Sequence, residues 1–186
     1  SWQSLASRLY LEAGYVVFRL DNRGSTNRSE AFETALDRHL GTVEVDDQYA
    51  GLEWLRSQPF VDGARVGVTG WSYGGFMTLM MMTDPRFDLA AGSSGAPVTE
   101  WGLYDTHYTE RFMGTPEDNA DGYAASDVLN RLENLEGRLL IMHGMADDNV
   151  IFEHATRVIN GLQERSQPFE MMLWPGQRHG VLGNPR

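Results

Sequence analysis

Cysteine is missing from this sequence altogether. Disulfides, thiolate metal sites and a cysteine nucleophile are therefore excluded, and either redox compartment stays open. Basic side chains are in short supply: 15 Lys and Arg against 26 Asp and Glu leave a net charge of -11. That deficit argues against nucleic acid or an anionic membrane surface as a partner. No apolar run approaches the roughly 20 residues that a membrane-spanning helix needs. There is no internal repeat, no low-complexity tract and no signal-peptide pattern at the start. Ser1-Trp2-Gln3 opens inside what reads as a helix, so a native start further upstream is expected. What is left is a chain of 186 residues, long enough for one domain with a substantial core.

The informative stretch is Gly70-Trp71-Ser72-Tyr73-Gly74-Gly75. It follows the β-branched run Val66-Gly67-Val68-Thr69 and precedes the apolar run Phe76-Met77-Thr78-Leu79-Met80-Met81-Met82. Strand, G-x-S-x-G and helix in that order make a nucleophile elbow. The reversal from strand to helix holds the serine in a strained conformation. Side chains two residues either side of it are expected to collide, hence Gly70 and Gly74. The Ser72 hydroxyl is then exposed above the sheet edge, over the free N–H groups of a helix N-terminus.

The rest of the chain alternates in type. Trp2, Leu5, Ala6, Leu9 and Ala13 recur at helical spacing, with Gly14 placed to end the helix. Residues 15–20, YVVFRL, predict a strand buried on both faces. Asp21-Asn22-Arg23-Gly24-Ser25 is a turn, and residues 25–41 carry no clear pattern. Thr42 is placed to cap a helix with Glu44, Asp46 and Asp47 in its first turn and Val45, Tyr49, Leu52 and Leu55 as its stripe. Strands are predicted over residues 65–69, 89–93, 138–143 and 169–174. A further helix carries Phe152, Ala155, Val158, Ile159 and Leu162. The methionines at 80–82 and 171–172 read as core. Residues 97–137 are aromatic, charged and long for a connection without a function. The alternation predicts a parallel α/β sheet with right-handed crossovers.

A serine hydroxyl needs a base to take its proton, and the base needs a group to orient it. Ser72 comes first, Asp147 or Asp148 follows the next-to-last predicted strand, and His179 follows the last. Ser…Asp…His is the α/β-hydrolase order, each member just past a strand C-terminus. Among five histidines, His39 and His154 read as solvated and His143 as a buried hydrogen-bonding residue. His107 falls in the aromatic insert. His179 alone follows the last strand, between Gly176 and Gly180. Asp147 is favoured over Asp148 because the earlier residue points back toward the sheet edge.

The elbow segment resembles the catalytic domain of the prolyl oligopeptidase family. So do Tyr104-Asp105-Thr106-His107-Tyr108-Thr109-Glu110-Arg111-Phe112-Met113-Gly114 and His143-Gly144-Met145-Ala146-Asp147-Asp148-Asn149-Val150. The likeness runs from about Leu9 to Gly180; its tyrosine segment is the most discriminating and points to the dipeptide-releasing members. The resemblance implies Ser72 as nucleophile, Asp147 as triad acid, His179 as base and the Tyr73 backbone N–H as an oxyanion donor. It places Tyr104 and Tyr108 around a proline ring with Val98, Trp101 and Val150, and gives Asn149 the substrate backbone. It implies no metal and no organic cofactor. From the residues alone, Trp101, Tyr104 and Tyr108 at i, i+3 and i+7 put three aromatic faces on one side of a helix. A proline ring suits such a slot, although packing of the insert onto the domain explains the same spacing.

Family members also carry an N-terminal β-propeller, acidic residues that grip a free amine, a tyrosine oxyanion donor in a loop before the first helix here, and a helix after the histidine. None of these is in the sequence. The expectation is therefore a partial α/β-hydrolase domain over residues 1–186, a mostly parallel sheet with flanking helices, truncated at both ends. The expected activity is a serine peptidase that releases N-terminal dipeptides with penultimate Pro or Ala. An oligopeptidase, acylaminoacyl peptidase or carboxylesterase with the same triad stays open, as does an inactive hydrolase scaffold used for binding. The partners expected are a peptide substrate and, in the full-length protein, a second copy. A periplasmic or secreted location is what the resemblance favours.

Overall fold

Four strands run parallel in sheet order β1-β2-β3-β4: β1 Gly67–Trp71, β2 Ala91–Gly95, β3 Arg138–Gly144 and β4 Glu170–Trp174. The computed structural model describes residues 5–181. Its helices are α1 Leu5–Glu12, the single turn α2 Glu30–Glu33, α3 Val43–Arg56, α4 Tyr73–Met82, α5 Thr106–Met113, α6 Ala120–Ser126 and α7 Glu153–Glu164. None of the described helices is long and apolar enough to cross a membrane.

The core gathers around α4, whose Phe76, Leu79 and Met80 are wholly buried. A helix apolar on every side is stable only when surrounded. Val45 and Leu52 of α3, Val98, Trp101, Met113 and Leu132 of the connection after β2, and Val158 and Leu162 of α7 complete the cluster. Gly75 lets α4 cross β2 closely: a Cβ there would lie 2.4 Å from the Gly95 carbonyl oxygen. The 97–137 insert folds as α5, α6 and two 3-10 segments, Trp101–Leu103 and Val128–Asn134.

Several expectations fail here. Residues 15–20 form no strand. Tyr15 and Val16 are 59% and 51% exposed. No strand ladder includes residues 15–20 among the described residues. The segment lies along α3 instead, with the Phe18 ring stacked on Trp54 at 5.5 Å and Leu20 O accepting from Gln48 Nε2 at 3.3 Å. A β-branched run becomes a strand only beside a partner, and none of the four strands adjoins it. Met171 and Met172 are 54% and 51% exposed, not core, because β4 is an edge strand among the described residues. Leu9 is exposed too, while Trp2 lies outside the described residues. Thr42 is the N-cap residue of α3 but makes no side-chain cap; its hydroxyl donates to His39 O at 2.6 Å. The Glu44 carboxylate caps the turn instead, accepting from Gly41 N at 2.5 Å and Thr42 N at 3.0 Å. Asp46 and Asp47 leave the helix end to pair with Arg86 and Arg23.

Candidate active site

Ser72, Asp147 and His179 each stand just past the C-terminal end of a strand, after β1, β3 and β4. Ser72 adopts φ 62°, ψ -120°, a region that costs a non-glycine residue about 1–3 kcal/mol. The turn is held by Ser72 N–H to Gly95 O at 2.8 Å and by Phe76 N–H to Ser72 O at 3.0 Å. A Cβ at Gly70 would lie 2.2 Å from the Gly74 carbonyl oxygen, whereas one at Gly74 would meet nothing within 4 Å. The expected collision is thus one-sided: Gly70 faces backbone, and Gly74 borders an open cleft.

His179 Nε2 lies 2.9 Å from Ser72 Oγ, and His179 Nδ1 lies 2.8 Å from Asp147 Oδ2. This arrangement fits an Nδ1–H donor to the carboxylate and an Nε2 acceptor for the serine proton. Asp147 is buried, and its Oδ1 accepts from Asn149 N and Val150 N at 3.0 Å each. Trp71 Nε1 donates to His179 O at 2.9 Å and ties the histidine loop to the elbow. Asp148 turns away into an ion pair with Arg178 at 3.1 Å, with side chains 58% and 74% exposed. Three residues, brought from positions far apart in sequence, therefore form one continuous hydrogen-bonded run.

Two further buried polar groups lie close by: His143 beside Asp147, buried and hydrogen-bonded as the sequence suggests, and Glu44 beside Tyr73, the residue after the nucleophile. His143, buried at the end of β3, puts Nε2 2.8 Å from Val150 O and 3.3 Å from Asp147 Oδ2. Burial pushes its pKa down, so the neutral imidazole donates its Nε2–H into that corner. Glu44, fully buried, accepts from Tyr73 Oη at 2.6 Å. The only sequence signal was an acid between Val43 and Val45 at a helix start. His154, expected in solvent, is buried: Thr99 N–H donates to its Nδ1 at 3.1 Å. Burial lowers its pKa to about 4.

The aromatic group converges, but not on one helix. Trp101 sits in a 3-10 turn, Tyr104 is extended and Tyr108 lies in α5. The Trp101 ring stacks on Tyr108 at 5.9 Å, meets Tyr104 edge-on at 5.9 Å and tilts against Tyr73 at 5.6 Å. The kink at Tyr104 replaces helical spacing as the cause of convergence. Trp101, Val98 and Val150 are buried, whereas Tyr104 and Tyr108 are half-buried and Asn149 is exposed. Tyr104 Oη donates to Asn149 Oδ1 at 2.7 Å. Burial raises the pKa of both tyrosines, so both hydroxyls stay protonated.

The Peptidase_S9 model of the prolyl oligopeptidase family matches residues 2–186. The chain belongs to the prolyl oligopeptidase family. It is similar to mouse dipeptidyl peptidase 8, with 42% identity over 90% of this chain and 19% of that protein. It is similar to venom dipeptidyl peptidase 4 of Vespula vulgaris, with 40% identity over 88% of the chain and 22% of the relative. Among solved structures, Porphyromonas gingivalis dipeptidyl peptidase 4 superposes with a TM-score of 0.85 at 40% identity, covering 88% of this chain and 23% of that one. A putative dipeptidyl aminopeptidase IV from Bacteroides ovatus gives a TM-score of 0.84 at 40% identity, with the same coverages. The chain spans about a fifth of the length of these relatives. Its sheet and flanking helices are those of the α/β-hydrolase fold of the family.

Proposed function

We propose that the full-length protein is a serine exopeptidase that releases N-terminal dipeptides with proline or alanine in the penultimate position. The observation that carries this reading is the hydrogen-bonded run from Ser72 Oγ through His179 to Asp147. Ser72 Oγ attacks the scissile carbonyl carbon while His179 Nε2 takes its proton. Asp147 holds Nδ1–H and stabilises the imidazolium. The Tyr73 N–H, at the first position of α4 and so without an intrahelical acceptor, faces the developing oxyanion. Collapse of the tetrahedral intermediate expels the amine, which receives the proton from His179. Water then attacks the acyl-enzyme by the same steps in reverse roles.

Tyr104 and Tyr108 form the open side of the proline slot, backed by Trp101, Val98 and Val150, and Asn149 holds the substrate backbone. Beside the elbow, a cleft of about 430 Å³ is bordered by Asn22, Gly24, Leu36, Val68, Thr69 and Tyr73. β1 is an edge strand among the described residues. Together these support a further strand and loop from the longer protein beside β1, with the second oxyanion donor in that loop. The grip on the substrate amine is assigned to the longer protein as well.

The test uses the full-length enzyme, a fluorophosphonate label and a panel of Gly-Pro and Ala-Pro substrates with chromogenic leaving groups, beside N-blocked peptides and simple esters. Labelling lost in Ser72→Ala, with turnover restricted to free N-termini, is the expected result. Turnover of blocked peptides or esters instead makes it an oligopeptidase or esterase on the same triad. Absence of labelling makes it an inactive scaffold.

A further inference from the structure

Glu44 is a fully buried carboxylate with no part in the hydrogen-bonded run from Ser72 to Asp147. No ion pair of this acid occurs among the described residues; its partners are three hydrogen-bond donors. Gly41 N and Tyr73 Oη share Oε1 at 2.5 and 2.6 Å, and Thr42 N reaches Oε2 at 3.0 Å. Two of those donors belong to the turn that starts α3. The third belongs to the residue that follows the nucleophile. A buried carboxylate held only by neutral donors is costly to maintain as structure alone, and its position directs attention to what Tyr73 does.

Tyr73 is held at both ends. Its main chain follows Ser72, the strained residue, and opens α4. Its ring rests edge-on to Phe76 at 5.4 Å and tilted to Trp101 at 5.6 Å, and its hydroxyl ends on Glu44. With the ring packed and the hydroxyl anchored, the first peptide of α4 has little freedom to rotate about the elbow. That peptide carries the N–H assigned above to the oxyanion. Oxyanion stabilisation depends on donors aimed before the reaction at where charge develops.

We propose that Glu44 is a positioning residue for catalysis: through Tyr73 Oη it fixes the direction of the Tyr73 backbone N–H. This rests on the serine-peptidase reading of the site. Glu44 and Tyr73 then act as one unit. Removing either hydroxyl or carboxylate loosens the same donor, so the two losses do not add. The ring of Tyr73 remains in place in Tyr73→Phe, so ground-state binding in the pocket is unchanged.

The experiment uses the full-length enzyme as wild type, Glu44→Gln, Tyr73→Phe, the double variant and Ser72→Ala. It reads kcat and KM on Gly-Pro-p-nitroanilide. It also reads the affinity for a dipeptide boronate, which forms a tetrahedral adduct on serine, and for the dipeptide product, which does not. Loss of a whole oxyanion donor costs about 10²–10³ in kcat, so a donor left in place but misaimed is expected to cost about tenfold. KM and product affinity stay within about twofold, boronate affinity falls in step with kcat, and the double variant is no worse than the poorer single one. Tyr73→Phe carries the test alone if Glu44→Gln does not fold. Unchanged kcat in folded Tyr73→Phe overturns the proposal. So does a loss in which KM, product affinity and melting temperature move together without a selective loss of boronate affinity. If Ser72→Ala keeps wild-type turnover, the serine-peptidase reading itself has failed, and the assignment of Glu44 falls with it.

Discussion

Asp147→Asn exchanges one carboxylate oxygen for an NH₂, and the hydrogen bonds around it dictate how the amide must sit. Oδ1 accepts two backbone N–H groups, from Asn149 and Val150, at 3.0 Å each. An amide nitrogen there faces two donors, so the carbonyl oxygen of the asparagine takes that position. Its NH₂ then occupies the Oδ2 position, 2.8 Å from His179 Nδ1. An NH₂ donates, so Nδ1 must accept and the proton moves to Nε2. His179 in that tautomer cannot take a proton from Ser72, although every heavy atom is near its original place. A wrong tautomer with intact geometry costs about 10⁴ in kcat, or about 5.5 kcal/mol at the transition state. Asp148→Asn removes only an exposed ion pair with Arg178, of the kind worth about 0–1 kcal/mol, and should leave kcat within about threefold. The assay is kcat of both variants in the full-length enzyme on Gly-Pro-p-nitroanilide, with circular dichroism to confirm folding. An Asp147→Asn enzyme within tenfold of wild type, or an inactive Asp148→Asn enzyme, refutes the reasoning.

Ser72→Gly and Ser72→Ala should both be inactive. Glycine relieves the strain at φ 62°, so Ser72→Gly should be the more stable by about 1 kcal/mol in denaturant midpoints; equal midpoints count against stored strain. Tyr104→Ala and Tyr108→Ala should raise KM and weaken the preference for proline over bulky residues. Stacking of an aromatic ring on its partner is worth about 0.5–1.5 kcal/mol beyond area burial, and an unchanged preference in both variants makes the aromatic group a packing device only. His154 has its pKa lowered from 6.5 to about 4, chiefly by burial. The unfolded chain then binds the proton first as pH falls, so its contribution is complete above about pH 6.5 and is lost on the way down to about 4. Over that window the full-length enzyme should lose stability on the order of 3 kcal/mol, seen as a falling melting temperature, and should lose less in His154→Gln.

The local features of this protein are in its sequence. Ser72 between Gly70 and Gly74, after a β-branched run and before an all-apolar helix, specifies the elbow because strain, glycine placement and helix periodicity are properties of neighbouring residues. The parallel sheet follows from alternating strands and helices, and the order of serine, acid and histidine follows from where each strand ends. Contacts between distant residues are another matter. Residues 15–20 have the composition of a buried strand, but strand formation needs a hydrogen-bonding neighbour, and the segment lies against Trp54 and Gln48 instead. Met171 and Met172 have core chemistry on an edge strand. His154 has a surface-like helical setting, yet the 97–137 insert folds over it and brings Thr99 to its ring. Trp101, Tyr104 and Tyr108 meet because the chain kinks at Tyr104, which helical spacing does not contain. Glu44 reads as one of three acids at a helix start. Only the packing of α3 against α4 turns it inward to the hydroxyl of Tyr73. Sequence determines what a residue prefers; which distant partner it meets is decided by how the layers pack, and burial then sets its charge and its role.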